Sequence, residues 1–105
     1  MATRCTIKIE GIDYAKVYKH WDGYPDATLR WLEEFNRNFS KNRGDDPAYK
    51  LAQLLRNSIR DCSTYNLDPS QYTGWGVIGI NEDWCQEFEY ILHKEGSVSY
   101  TLYNH

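Results

Sequence analysis

His20 and Asp22 stand two residues apart in the stretch Tyr18-Lys19-His20-Trp21-Asp22-Gly23-Tyr24-Pro25. An imidazole beside a carboxylate is the pairing that tunes a general base, because the carboxylate raises the imidazole pKa and fixes its tautomer. On a continuing strand the two side chains share a face. Hydrolysis by such a pair also needs a nucleophile or an oxyanion donor, and the sequence puts neither beside it. A plainer role explains the same residues. Asp22-Gly23 makes the turn, its carboxylate bonding backbone N–H groups, while His20 packs on Tyr18 or Trp21. Gly23 is expected to hold the positive φ of that turn. His20, Asp22 and His93 would supply at most a three-ligand metal set, and no spacing brings them together, so neither a metal nor a cofactor is assigned.

Tyr14, Tyr18, Tyr24, Trp75, Trp84, Tyr100 and Tyr103 form a second constellation. Aromatic residues on sheets are most often core, the reading taken for Trp84, Tyr90 and Tyr100. Tyr18, on an outer strand face, and Tyr24, just before Pro25, are the exceptions. Flat rings beside a lysine and a histidine suit stacking of a nucleobase with a cation at its phosphate, and equally a protein hot spot. Arg37, Lys41 and Arg43, and the pair Arg56 and Arg60, read as solvated helix faces.

Positioning these residues requires a fold. Arg4, Thr6 and Lys8 alternate with Cys5 and Ile7 as in a half-buried strand, and a second strand runs from about Ile12 to Trp21. A three-residue loop Ile9-Glu10-Gly11 would pair Cys5 with Ala15 and leave Tyr14, Lys16, Tyr18 and His20 on the outer, at most partly covered, face. Pro25 suits a first helical position, and Leu29, Leu32, Phe35 and Phe39 predict a helix over 26–39. The polar run 40–45 reads as a loop. Asp46-Pro47 caps a second helix over 47–62 with the stripe Ala48, Leu51, Ala52, Leu55, Ile59 and Cys62. After a turn-rich loop over 63–72, a glycine-interrupted strand spans Thr73 to Ile80. Trp84 to Leu92 alternates as a further strand. A Lys94-Glu95-Gly96 loop then pairs Leu92 with Val98, Tyr90 with Tyr100 and Phe88 with Leu102. The order ββααβββ implies one α+β domain over 1–105, an antiparallel sheet with two helices packed on one face.

At 105 residues, 41% hydrophobic and 15% aromatic, the chain can build one modest core. A net charge of -3 argues against general nucleic-acid binding, which relies on a dense Lys/Arg surface, while leaving room for a small anionic ligand. Cys5, Cys62 and Cys85 are odd in number and show no CxxC spacing, so reduced thiols and a cytoplasmic location are expected. The strand-like start has no apolar h-region and no run approaches a membrane span.

The opening Thr3-Arg4 strand, the Gly11 turn and the motif Tyr18-x-His20-Trp21-Asp22-Gly23-Tyr24-Pro25 resemble a family of small proteins encoded by phages, prophages and some bacteria. The similarity covers mainly residues 1–30 and reaches the closing aromatic strands around Tyr90. It implies a small accessory protein of mobile-element origin, many of which bind a host component, and it brings no catalytic residue with it. The expectation is a non-enzymatic binding module. Its surface is Tyr18, His20, Trp21, Asp22 and Tyr24, and its partner a host protein or a small nucleotide-like ligand. The competing readings are a small hydrolase acting through His20 and Asp22, and a minor structural protein of a phage particle. The first would need a second polar cluster from Trp75, Asn81, Glu87 or His93. The second would show an exposed strand edge and a symmetric oligomer.

Overall fold

Alternating side chains at 5–9 form β1 (Cys5–Ile9), which pairs antiparallel with β2 (Ala15–Lys19). The structure, a computed structural model, describes residues 3–58 and 73–103. The pairs are Cys5 with Lys19, Thr6 with Tyr18 and Ile7 with Val17, four residues on from the expected register. The wider loop exists because Ile12 turns inward and is buried, its N–H bonding Ile9 O at 3.0 Å. Gly11 then lies against Pro47, where a Cβ would come within 2.9 Å of the proline Cγ. An even-numbered shift keeps every side chain on its expected face of the sheet.

Helix α1 (Pro25–Arg43) starts at its proline and runs past the expected end to Gly44, whose φ of 69° stops it. Residues 40–43 lack apolar side chains because that last turn faces solvent. Helix α2 (Pro47–Arg56) is capped by Asp46, which accepts the Tyr49 N–H. Its buried residues are Lys50 and Leu54, with Leu51 and Leu55 half-buried, while Ala48 and Ala52 face water. The helix is thus rotated from the expected stripe, since turning Leu54 inward buries more apolar surface than either alanine. Lys50 is almost wholly buried and sets its ammonium 5.4 Å from the centre of the Phe39 ring. Burial lowers its pKa against the opposing fields of Asp45, Glu10 and Glu95. Ile59, Cys62, Arg60 and the loop 63–72 lie outside the described residues.

Strands β3 (Trp75–Gly79), β4 (Phe88–Leu92) and β5 (Val98–Leu102) complete a five-stranded sheet of order β3-β2-β1-β4-β5. The β4–β5 hairpin has the expected register, Leu92 with Val98, Tyr90 with Tyr100 and Phe88 with Leu102. The sheet is mixed, because β1 and β4 pair in parallel, Cys5 beside Phe88 and Ile9 beside Leu92. β4 begins later than the alternation suggests. Residues 81–87 leave the ladder through a turn at Gly79–Glu82, and Cys85 takes a φ of 61°.

The chain is therefore one α+β domain of order ββααβββ. α1 touches β4 and β5, and α2 touches β1. Cys5, Ile7, Ile9, Val17, Tyr90 and Leu92 from the sheet meet Leu32 and Leu54 from the helices in the core. Asn36 ties α1 to the β4–β5 turn, its Nδ2 donating to the carbonyls of His93 at 2.9 Å and Ser97 at 2.8 Å. No described helix is long and apolar enough to cross a membrane.

Candidate functional site

Tyr18 faces away from the helices, as expected, but it is only 7% exposed, because Trp84 from the segment before β4 lies on it with ring centres 5.1 Å apart. Its hydroxyl shares a 2.8 Å hydrogen bond with His20 Nδ1. His20 meets Trp21 edge-on at 5.0 Å, and its backbone N–H bonds Gly74 O. Trp21 in turn lies so close over Gly74 that a side chain there would collide with the indole. Trp84, Tyr18, His20 and Trp21 thus form a continuous series of rings. The tryptophans at its two ends are exposed, Trp84 by 50% and Trp21 by 40%. The core reading of Trp84 is corrected, since it precedes β4 in an open segment. Tyr100 is corrected too, being 46% exposed on the edge strand β5, whereas Tyr90 is fully buried.

The turn works differently from expectation. Asp22, not Gly23, takes the left-handed conformation, with φ 56°, which aspartate tolerates better than most residues. Gly23 is required for space instead. A Cβ there would lie 2.7 Å from Cys5 Cβ and 2.8 Å from Thr3 O. Its N–H donates to Thr3 O at 2.9 Å, and its carbonyl accepts from the Tyr90 hydroxyl at 2.6 Å. Burial pushes the Tyr90 pKa well above the ordinary tyrosine value, so the phenol stays a donor. Gly23→Ala should therefore destabilise the fold by about 1–3 kcal/mol through overpacking. Urea melts of the two proteins check it, and an unchanged midpoint would contradict this close approach.

Tyr24 begins α1 without a side-chain cap bond and is 42% exposed. The structure thus gathers Tyr18, His20 and Trp21 with Trp84, and leaves Asp22 and Tyr24 at the surface beyond them. Asp22 makes no hydrogen bond to His20, whose ring bonds Tyr18. Asn81, Glu87 and His93 do not bond it either. His93 lies at the other end of β1, where its Nε2 is 2.7 Å from Ser99 Oγ and its Nδ1 3.9 Å from Glu10 Oε1. Glu10 accepts the Lys94 N–H at 2.7 Å with the same oxygen, so this cluster braces the hairpin end. Among the described residues, no group of three or more His, Cys, Asp or Glu side chains is placed to hold a metal ion.

The sheet face that carries the rings also holds a buried ionic cluster centred on Glu89, which is 6% exposed. Glu89 Oε2 accepts from Thr6 Oγ1 at 2.8 Å and from Lys16 Nζ at 3.2 Å. Its Oε1 pairs with Lys8 Nζ at 2.9 Å and accepts from the Tyr103 hydroxyl at 2.9 Å. Burial alone would raise the Glu89 pKa, but the bonds from Lys8, Thr6, Tyr103 and Lys16 outweigh it and hold the carboxyl below its ordinary value. Tyr103 is pushed up to about 12, by burial and then by that carboxylate. All four acceptor positions of Glu89 are used, so the cluster ties Lys16 of β2 to β4 on that face.

No family model, curated protein or solved structure matches this chain.

Proposed function

We propose that the chain is a non-enzymatic binding module of mobile-element type that takes a host protein on the aromatic ridge Trp84–Tyr18–His20–Trp21, with Tyr24 and Asp22 at its edge. One observation carries this reading: an exposed tryptophan stands at each end of a ring series whose inner members, buried Tyr18 and half-buried His20, are held by a hydrogen bond. Rings fixed before binding lose little side-chain entropy on contact, which favours tryptophan and tyrosine as hot spots. A protein surface suits the ridge better than a small nucleotide-like ligand, because the cleft lined by Phe35, Phe39 and Tyr49 and the one lined by Lys8, Ile12 and His93 both lie away from Trp84 and residues 18–25. Hydrolysis through His20 and Asp22 has less support, since Tyr18 takes the place beside the imidazole that the carboxylate would need. The resemblance of residues 1–30 to phage and prophage proteins supports a host protein as the partner.

Capture from host lysate by the immobilised protein tests the proposal. Trp84→Ala and Tyr24→Ala should each weaken capture by about tenfold or more, the scale of an aromatic hot spot, and Tyr24→Ala should do so with little change in melting temperature. Tyr14→Ala, at the opposite end of β2, should capture as the parent does. Equal capture by all three variants would overturn the proposal.

A further inference from the structure

A separate cleft opens between α1 and α2, away from the ridge. Its volume is about 290 Å³, and its apolar walls are the rings of Phe35, Phe39 and Tyr49. Phe35 and Phe39 lie 6.2 Å apart on successive turns of α1, and Tyr49 lines the same cleft from α2. Arg43 stacks over the Tyr49 ring at 4.4 Å and is held there by Asp46 at 3.4 Å. Asn38 and Asn42 line the same cleft one helical turn apart. Neither carboxamide has a hydrogen-bond partner among the described residues. The basic end of α1, which reads as a solvated face in the sequence, is thus partly a wall of this cleft.

We propose that this cleft binds a nucleobase or nucleoside. The volume lies just below the roughly 300–1,000 Å³ usual for ligand pockets, which limits the occupant to a small molecule. Three rings around one opening suit a planar heterocycle, and the two carboxamides, each both donor and acceptor, suit its hydrogen-bonding edge. An aliphatic ligand would strip water from those amides and return no hydrogen bond. A polyphosphate would need more cations than Arg43, which Asp46 already partners. The heterocycle stacks among Phe35, Phe39 and Tyr49, and Asn38 and Asn42 read its edge.

Titration of the ¹⁵N-labelled protein with adenosine, guanosine, cytidine and uridine, alongside cyclohexanol as an apolar control, tests the site. At least one nucleoside should give saturable shifts of the Asn38 and Asn42 side-chain amides with a Kd below about 1 mM. Tyr49→Ala and Asn42→Ala alter exposed side chains, so they should keep the parent melting temperature and weaken that nucleoside by tenfold or more. Trp84→Ala should bind it unchanged, which separates this site from the ridge. No saturable shift to 5 mM (about fivefold that Kd), cyclohexanol binding as tightly, or parent-like binding by both cleft variants would overturn the proposal.

Discussion

Glu89→Ala is expected to lower stability by about 3–5 kcal/mol, the usual cost of breaking a buried ion pair by removing one partner. The loss falls mainly on Lys16, whose side chain is 4% exposed, whereas that of Lys8 is 32% exposed and keeps contact with water. Glu89→Gln keeps the shape and some hydrogen bonding and should lose less, though it still leaves Lys16 without a counter-charge. Adding Lys16→Met to Glu89→Gln should recover much of the loss, because a matched apolar replacement removes the orphaned cation. The cluster also sets an acid limb. The folded-state pKa of Glu89 lies below its ordinary value of 4.5, so the unfolded chain takes up the proton first. This contribution is fully present above the ordinary carboxylate range and is lost as pH falls through the lower folded value. Melts from pH 7 to pH 3 should show the parent losing stability more steeply than Glu89→Gln. Identical acid limbs would contradict the cluster as described.

Leu54→Ala should cost about 2–5 kcal/mol, since Leu54 is fully buried and its truncation adds a cavity to the lost transfer energy. Leu55→Ala should cost less, about 1–2 kcal/mol, because Leu55 is only half-buried. The comparison is informative because the apolar spacing in the sequence points to Leu55. Urea midpoints at constant m-value separate the two. A larger loss at Leu55 would mean that α2 presents its other face to the sheet.

The hairpin register at Tyr90 and Tyr100 was legible because apolar residues match at every step and Gly96 marks the turn. The helix starts were legible from Pro25 and Asp46-Pro47. The β1–β2 register was not, because a tight Gly11 loop satisfies the local pattern and only the burial of Ile12 rejects it. The Glu89 cluster was hidden for a different reason. Thr6, Lys8, Lys16 and Glu89 each look like solvent-facing members of alternating strands, and they meet only once β2, β1 and β4 are neighbours. That order includes a parallel pair between segments far apart in sequence, which no local spacing encodes. At the ridge, the segment 18–25 stood out by composition, but Trp84 joins it from a segment that alternates like a strand and is not one.

The binding surface is tested most directly by photo-crosslinking. Benzoylphenylalanine is introduced in place of Trp84 or Tyr24 on the ridge, and in place of Tyr14 or Tyr49 as equally aromatic, exposed controls. Each protein is irradiated in host lysate and its adducts are identified by mass spectrometry. Crosslinks from positions 84 and 24 to one and the same host protein, without that adduct from 14 or 49, are the predicted result. Adducts to that protein from all four positions alike, or from 14 or 49 alone, would contradict the assignment of the ridge.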